Sequence, residues 1–273
     1  MKACVVGCIF GKDWTEVYPA VKKYDAYFFT NNPAIKPAVE AAGWNYIFID
    51  MPLSDDPAVS SFQSKYVKFL QFLKHNEFAF FGNYDRIIYT DHKLRLEDQH
   101  IKYMLEKLGG YEILIREHPR NRQNIWEEVG DAMFQERYLR FMPQTIDYLR
   151  QKIQEGYSEK PTVVATGLIL YKHLEQKTID FTGAVYNDLA KIGTSECQII
   201  WSMLGQKYTD VIKIIKWNEV DIRWEAPQNL FKKFKFLLKE TARLIVPLFI
   251  LILLGKIRGF MLRKNKGAQN AGH

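Results

Sequence analysis

Short apolar runs that stop abruptly on polar residues recur through the first two-thirds of the chain, with stretches of helical periodicity between them. "KACVVGCI" (2–9) ends near glycine, and "YDAYFFT" (24–30) stops at Asn31-Asn32-Pro33, a turn signal. "WNYIFID" (44–50) follows a helical stretch around Ile35–Ala42 that Gly43 closes. "YDRIIYT" (84–90) runs into Asp91, His92 and Lys93, and Ile113–Ile115 runs into Arg116, Glu117 and His118. Residues 60–78 carry apolar side chains at 62, 66, 69, 70 and 73, the spacing of a helix that Ser60 or Ser61 would cap. Beyond them, "IDYLRQKI" and residues 181–193 read as helices, and Ser195 would cap another with Glu196 in its first turn. Residues 160–172 read as a strand pair or one strand with a glycine break, and residues 210–218 as a final strand. Strands alternating with helices predict an α/β domain with a mixed, mostly parallel sheet. Ligands of such sheets sit at the carboxyl ends of the strands, where this chain concentrates its polar side chains.

Several chemistries are disfavoured. "VVGCIFGKDW" has neither the dinucleotide fingerprint nor the P-loop spacing. His75, His100 and His173 are scattered without metal-ligand spacing, and Cys197 has no local histidine partner. Cys4, Cys8 and Cys197 are too few, and odd in number, for a disulfide framework, which suits a reducing compartment. The first residues lack the long apolar stretch of a secretory signal and read as a strand that stays.

The net charge of +7 is local. Residues 232–266 hold ten basic side chains against Glu240 alone, a segment charge of +9, which leaves the remainder at −2. Within that segment Leu244–Leu254 is an unbroken apolar run of eleven, containing Pro247. Spanning a bilayer takes roughly 20 residues, so an interfacial anchor on an anionic membrane surface fits better. A core helix or an oligomer contact is the competing reading. Nucleic acid is a poor partner for so apolar a segment. The division expected is a catalytic domain over residues 1–228 and a membrane-associating tail over 229–273.

The strand ends offer the candidate site. Asp91 is either a turn acid or an oxygen ligand for Mg²⁺ or Mn²⁺ against a diphosphate. Lys93 can neutralise phosphate directly, and Lys65 and Lys68 share a helical face that either reaches phosphates or is solvated. His118 with Arg120 and Arg122 suits an anionic leaving group, or forms an ion-pair network with Glu117, Glu127 and Glu128. Glu196 is either a charge at a helix start or an acid that deprotonates an acceptor hydroxyl.

Taken in order, "YFFTNN", "SKYVKFL", "YDRIIYTDHK", "IREHPR", "EEVGDAMFQERY", "TGLILYK" and "SECQIIWSML" resemble the glycosyltransferase-like proteins of the DUF616 type, related to the TOD1/MUCI70 group. The resemblance covers roughly residues 2–218. It implies a GT-A-like fold that binds a nucleotide-diphospho-sugar, with a strand-end Asp-x-Asp holding Mn²⁺ or Mg²⁺. Here that place reads Asp91-His92-Lys93, so Lys93 replaces the second acid and metal dependence is open. Thr30 and Asn31 match the strand end near the nucleotide, and Lys65 matches the basic residue of the following helix. His118 and Arg120 match a His-x-x-Arg-like region with spacing one residue tighter. Glu196 matches an acid on the acceptor side.

The expectation is therefore a glycosyltransferase of bacterial surface polysaccharide synthesis. It would act on a glycan or lipid-linked acceptor at the cytoplasmic face of the cell membrane. A non-catalytic nucleotide-sugar-binding scaffold and a phosphoryl or nucleotidyl transferase are the alternatives.

Overall fold

The computed structural model describes residues 1–222, apart from 15, 121 and 221. The basic, apolar segment and the expected boundary at residue 228 lie outside the described residues. Among the described residues no helix is long and apolar enough to cross a membrane.

Seven strands form one sheet: β1 (Ala3–Cys8), β2 (Asp25–Thr30), β3 (Asn45–Phe48), β4 (Arg86–Asp91), β5 (Ile113–Glu117), β6 (Val164–Tyr171) and β7 (Ile212–Ile215). Their order is β3-β2-β1-β4-β6-β5-β7. All neighbouring pairs are parallel except the two made by β6, which runs against both β4 and β5. The expected mixed, mostly parallel sheet is present.

Every residue of β1 and of β6 is buried, as strands covered on both faces should be. Alternation sorts their side chains into two cores. Cys4, Val6, Cys8, Ile87, Tyr89, Ile113, Ile115, Ile169 and Tyr171 share one face of the sheet. Val5, Ile88, Leu114, Leu168 and Leu170 share the other. On the first face pack α2 (Pro57–Lys68), α4 (Ile125–Ala132), the single turn α5 (Glu136–Leu139), α6 (Met142–Gln154), α7 (Gln176–Ile192) and α8 (Cys197–Gly205). The second is covered by α1 (Lys36–Ala41) and α3 (Asp98–Leu108).

Two local expectations are corrected, and a third, open between a strand pair and one strand with a glycine break, resolves to the single strand. The helix expected over 60–78 begins earlier and ends at Lys68, because Asp56 caps Ala58 N–H at 3.0 Å and Pro57 occupies its first turn. Leu70 then adopts φ 59°, which breaks the α-helix, and two 3₁₀ segments complete the connection to β4. Ser195 does not cap α8; Glu196 does, accepting Gln198 N–H at 3.1 Å. Residues 160–172 hold a single strand, β6, whose pairing with β5 jumps from Ile115–Ile169 to Arg116–Ala165. Thr166, Gly167 and Leu168 thus have no partner on β5, and the sheet opens there.

Candidate active site

The carboxyl ends of β1, β4 and β5 and the start of β6 meet at a cavity of about 650 Å³. The reversal of β6 matters here, since it places the irregular Thr166-Gly167 segment beside Asp91 rather than at the far edge. One wall of the cavity is α2, which presents Ser61, Ser64, Lys65 and Lys68 at the i, i+3, i+4, i+7 spacing of one helical face. A second wall comes from α4 and the turn after it, with Glu128, Asp131 and Arg137. The first turn of α8 contributes Cys197 and Gln198.

Lys68 and Asp91 form the centre. The Lys68 ammonium lies 3.1 Å from Asp91 Oδ1, with side chains 3% and 27% exposed. The same oxygen accepts the Tyr89 hydroxyl at 2.7 Å, and Tyr89 also meets Cys8 Sγ at 3.8 Å. Burial pushes the Asp91 carboxyl up, but Lys68, Lys65 and the Tyr89 hydroxyl more than offset it and hold it down at about 2. Burial likewise opposes charge on Lys68, and Asp91 outweighs it, so this ammonium is held above its ordinary value. Lys65 is 5% exposed. Among the described residues no carboxylate lies within ion-pair distance of its ammonium, and burial, aided by Lys68 and Arg137, lowers its pKa. Arg137 donates to the neutral Gln135 Oε1 at 2.9 Å and packs its guanidinium 4.6 Å from the Tyr138 ring.

The charges of the second wall largely satisfy one another. Arg122 pairs with Asp131 and approaches Glu128 at 3.5 Å, while Arg120 reaches Asp131 at 3.2 Å. The network thus uses Glu128 and Asp131, not the Glu117 and Glu127 that sequence suggested. Glu117 instead accepts Trp217 N–H at 3.4 Å, and Glu127 caps the start of α4 through Gln123 N–H. His118 Nδ1 lies 3.2 Å from both the N–H and the carbonyl oxygen of Arg120, and its Nε2 stands 3.6 Å from Glu128 Oε2. Burial and the arginines at 122 and 120 push His118 down to about 4, so it is a neutral imidazole at pH 7. His92 is held at about 4 by burial, with Lys93 and Arg137 adding to it.

Of the residues singled out in sequence, Lys65, Lys68, Asp91, Lys93, His118 and Arg120 share the cavity lining. Thr30, Asn31, Arg122 and Glu196 do not. Thr30 Oγ1 accepts Asn32 N–H at 3.0 Å. Asn31 accepts Gly11 N–H at 2.8 Å and donates to Pro52 O at 2.9 Å. That hydrogen bond fixes a loop only glycine can form: Gly11 has φ 96°, and a Cβ there would meet Ser60 Oγ at 2.1 Å. Asn31 therefore shapes the wall that Phe10, Asp13 and Trp14 present, without reaching the cavity itself. Glu196 is buried behind Cys197 and Gln198. Burial and then Glu128 raise its carboxyl to about 7, against the pull of Gln198 N–H, Arg137 and Lys65.

Arg137, Tyr89 and the Thr166–Cys197 pair, whose Oγ1 and Sγ lie 3.1 Å apart, were not singled out in sequence. Arg137 sits inside the quoted "FQERY", but nothing in its spacing marks it. All three cysteines are buried and free, as their number suggested.

A divalent cation is what the resemblance implies at Asp91, and the residues do not fit one. Oδ1 already meets an ammonium and a phenol, position 93 is lysine, and among the described residues no three His, Cys, Asp or Glu side chains converge as a cation site.

No family model matches the chain, the DUF616 type included, and no curated protein matches it. Solved structures that resemble it include mouse xyloside xylosyltransferase 1, at 11% identity and TM-score 0.40 over 79% of this chain and 85% of that one. CMP:2-keto-3-deoxy-manno-octonic acid synthetase complexed with CTP resembles it at 9% identity and TM-score 0.42, over 88% and 100%. The glycosyltransferase involved in glycosylation of the major capsid of PBCV-1 does so at 8% and 0.38, over 78% and 82%. Similarity at this level assigns no chemistry, which rests on the cavity's own residues.

Proposed function

We propose that this protein transfers a glycosyl unit from a nucleotide-diphospho-sugar to an acceptor hydroxyl. The observation that carries the reading is the gathering of Lys65, Lys68 and Arg137 on a cavity at the strand ends, where Lys65 has no carboxylate partner among the described residues. Buried cations so placed suit a diphosphate leaving group. In transfer, the bond from the anomeric carbon to the diphosphate oxygen breaks, and its electron pair leaves with the nucleoside diphosphate. The acceptor oxygen bonds to that carbon and gives its proton to Glu128, which faces the cavity and is electrostatically coupled to the buried Glu196 behind it. Neutral His118 stands 3.6 Å from Glu128 and does not compete as a cation.

The acceptor class in this reading is a glycan or a lipid-linked saccharide. Residues 232–266 would hold the protein on the cytoplasmic face of the membrane where such acceptors are assembled.

Incubation with a panel of nucleotide sugars, following both transfer and nucleoside diphosphate release, tests the reading. Transfer from at least one donor is expected. Donor binding without turnover would replace it with a non-catalytic nucleotide-sugar-binding role, as would be expected if the Lys93 substitution marked lost chemistry. Pyrophosphate release from nucleoside triphosphates would replace it with nucleotidyl transfer. Absence of any donor binding would sink it.

A further inference from the structure

A buried ammonium without a counter-ion is costly, because desolvation is not offset by a paired charge. Lys65 is in that position at the cavity wall, 5% exposed and three residues from Lys68 on the same face of α2. Lys68 is neutralised by Asp91 at 3.1 Å, and that contact and the Tyr89 hydroxyl both fall on Asp91 Oδ1. Arg137 adds a second cation whose hydrogen-bond partner, Gln135 Oε1, is neutral. Together Lys65, Lys68, Arg137 and Asp91 present an excess of two positive charges to the cavity. A diphosphate diester carries one negative charge on each phosphoryl group, and gains another on the oxygen that leaves the sugar. Those two positive charges equal the donor's two negative charges before the bond breaks.

We infer that the buried Lys65–Lys68 pair, with Arg137, takes the place of a divalent cation in holding the donor's diphosphate, and that Asp91 is a positioning residue for Lys68 rather than a metal ligand. The inference rests on the donor-site reading proposed above and says how that site meets its ligand. Lys65 touches the diphosphate directly. Asp91 and the Tyr89 hydroxyl fix Lys68 beside it, so that the charge appearing on the leaving oxygen meets ammonium groups already in place.

Isothermal titration of the full chain with UDP, GDP, CDP and ADP, each in excess EDTA and again with Mn²⁺, tests this. At least one nucleoside diphosphate is expected to bind in EDTA, with a Kd that Mn²⁺ changes by less than ~3-fold, well inside one pair interaction. K65M should weaken that binding by ~30-fold or more, as expected for removing one partner of a buried charged contact. K65R should recover most of it, which a purely structural role would not require. Thermal melts of both variants identify a folding failure, and K65Q, closer in shape and polarity, then carries the comparison. Binding that needs Mn²⁺, or that K65M or K65Q leaves unchanged in EDTA, overturns the inference while the donor-site reading stands. No binding under either condition overturns both.

Discussion

Lys65 and Lys68 stand one helical turn apart in surroundings that pull their protons in opposite directions. Burial disfavours charge on both; Asp91 reverses the outcome for Lys68 and leaves Lys65 below its ordinary value. Glu196 shows the same competition for an acid. Burial and Glu128 from α4 raise it to about 7, against Arg137 and Lys65 from the other walls. Because its folded pKa exceeds the unfolded value of 4.5, the folded state binds the extra proton between those two values. Its protonation thus favours folding below about pH 4.5, and that advantage fades as pH rises towards 7, with roughly 3 kcal/mol at stake. E196Q keeps an oxygen for Gln198 N–H and is expected to melt higher than the parent at about pH 8, with the difference vanishing near about pH 5. If Glu196 also sets the proton acceptance proposed above, kcat/KM of the parent rises through about pH 7 and the E196Q profile is low and flat across that range. A pH–rate profile of the two proteins measures both limbs.

At the scale of elements, α2 decides the shape of the cavity. Its first turn is fixed twice: Asp56 caps Ala58 N–H, and the same carboxylate takes both guanidinium nitrogens of Arg140 at 2.6 and 3.2 Å. D56A removes a cap and a largely buried pair, so a loss of about 2–4 kcal/mol is expected in denaturant unfolding, with donor affinity reduced because α2 carries Lys65 and Lys68. The sequence contained this signal in "SDDPAVSS", an acid followed by proline. The apolar spacing drew attention to Ser60 and Ser61 instead, since it begins only at Phe62. The strands were more legible. Alternation over short runs and polar residues at their ends located β1, β2, β4 and β5 and placed Asp91 and His118 at strand ends. Direction was not legible: nothing in "VVATGLILY" says that β6 runs backwards, because a fully buried strand carries the same apolar pattern either way. For that reason Thr166 and Cys197 could not be joined to the site from sequence. Arg137 escaped for another reason, as a single basic residue on an irregular turn has no period to betray it.

For the whole molecule, the charge asymmetry divides the chain into a near-neutral body, where the proposed transfer would occur, and a basic, apolar end. A chain ended near Gln228 is expected to leave the membrane fraction while keeping donor affinity within ~2-fold of the full chain. Unaltered fractionation would refute the anchoring role. The strand order has a different consequence, for biosynthesis. β1 lies between β2 and β4, with Ala3 paired to Arg86, and β4 in turn waits for β6, whose Leu168 pairs with Thr90. β1 is therefore apolar on both faces and lacks one neighbour until Asp91 has been translated. Such non-local pairing slows folding and leaves intermediates open to association. The nascent chain is thus expected to depend on chaperone shielding until β6 has been made, and its cavity cannot exist until α8 has emerged.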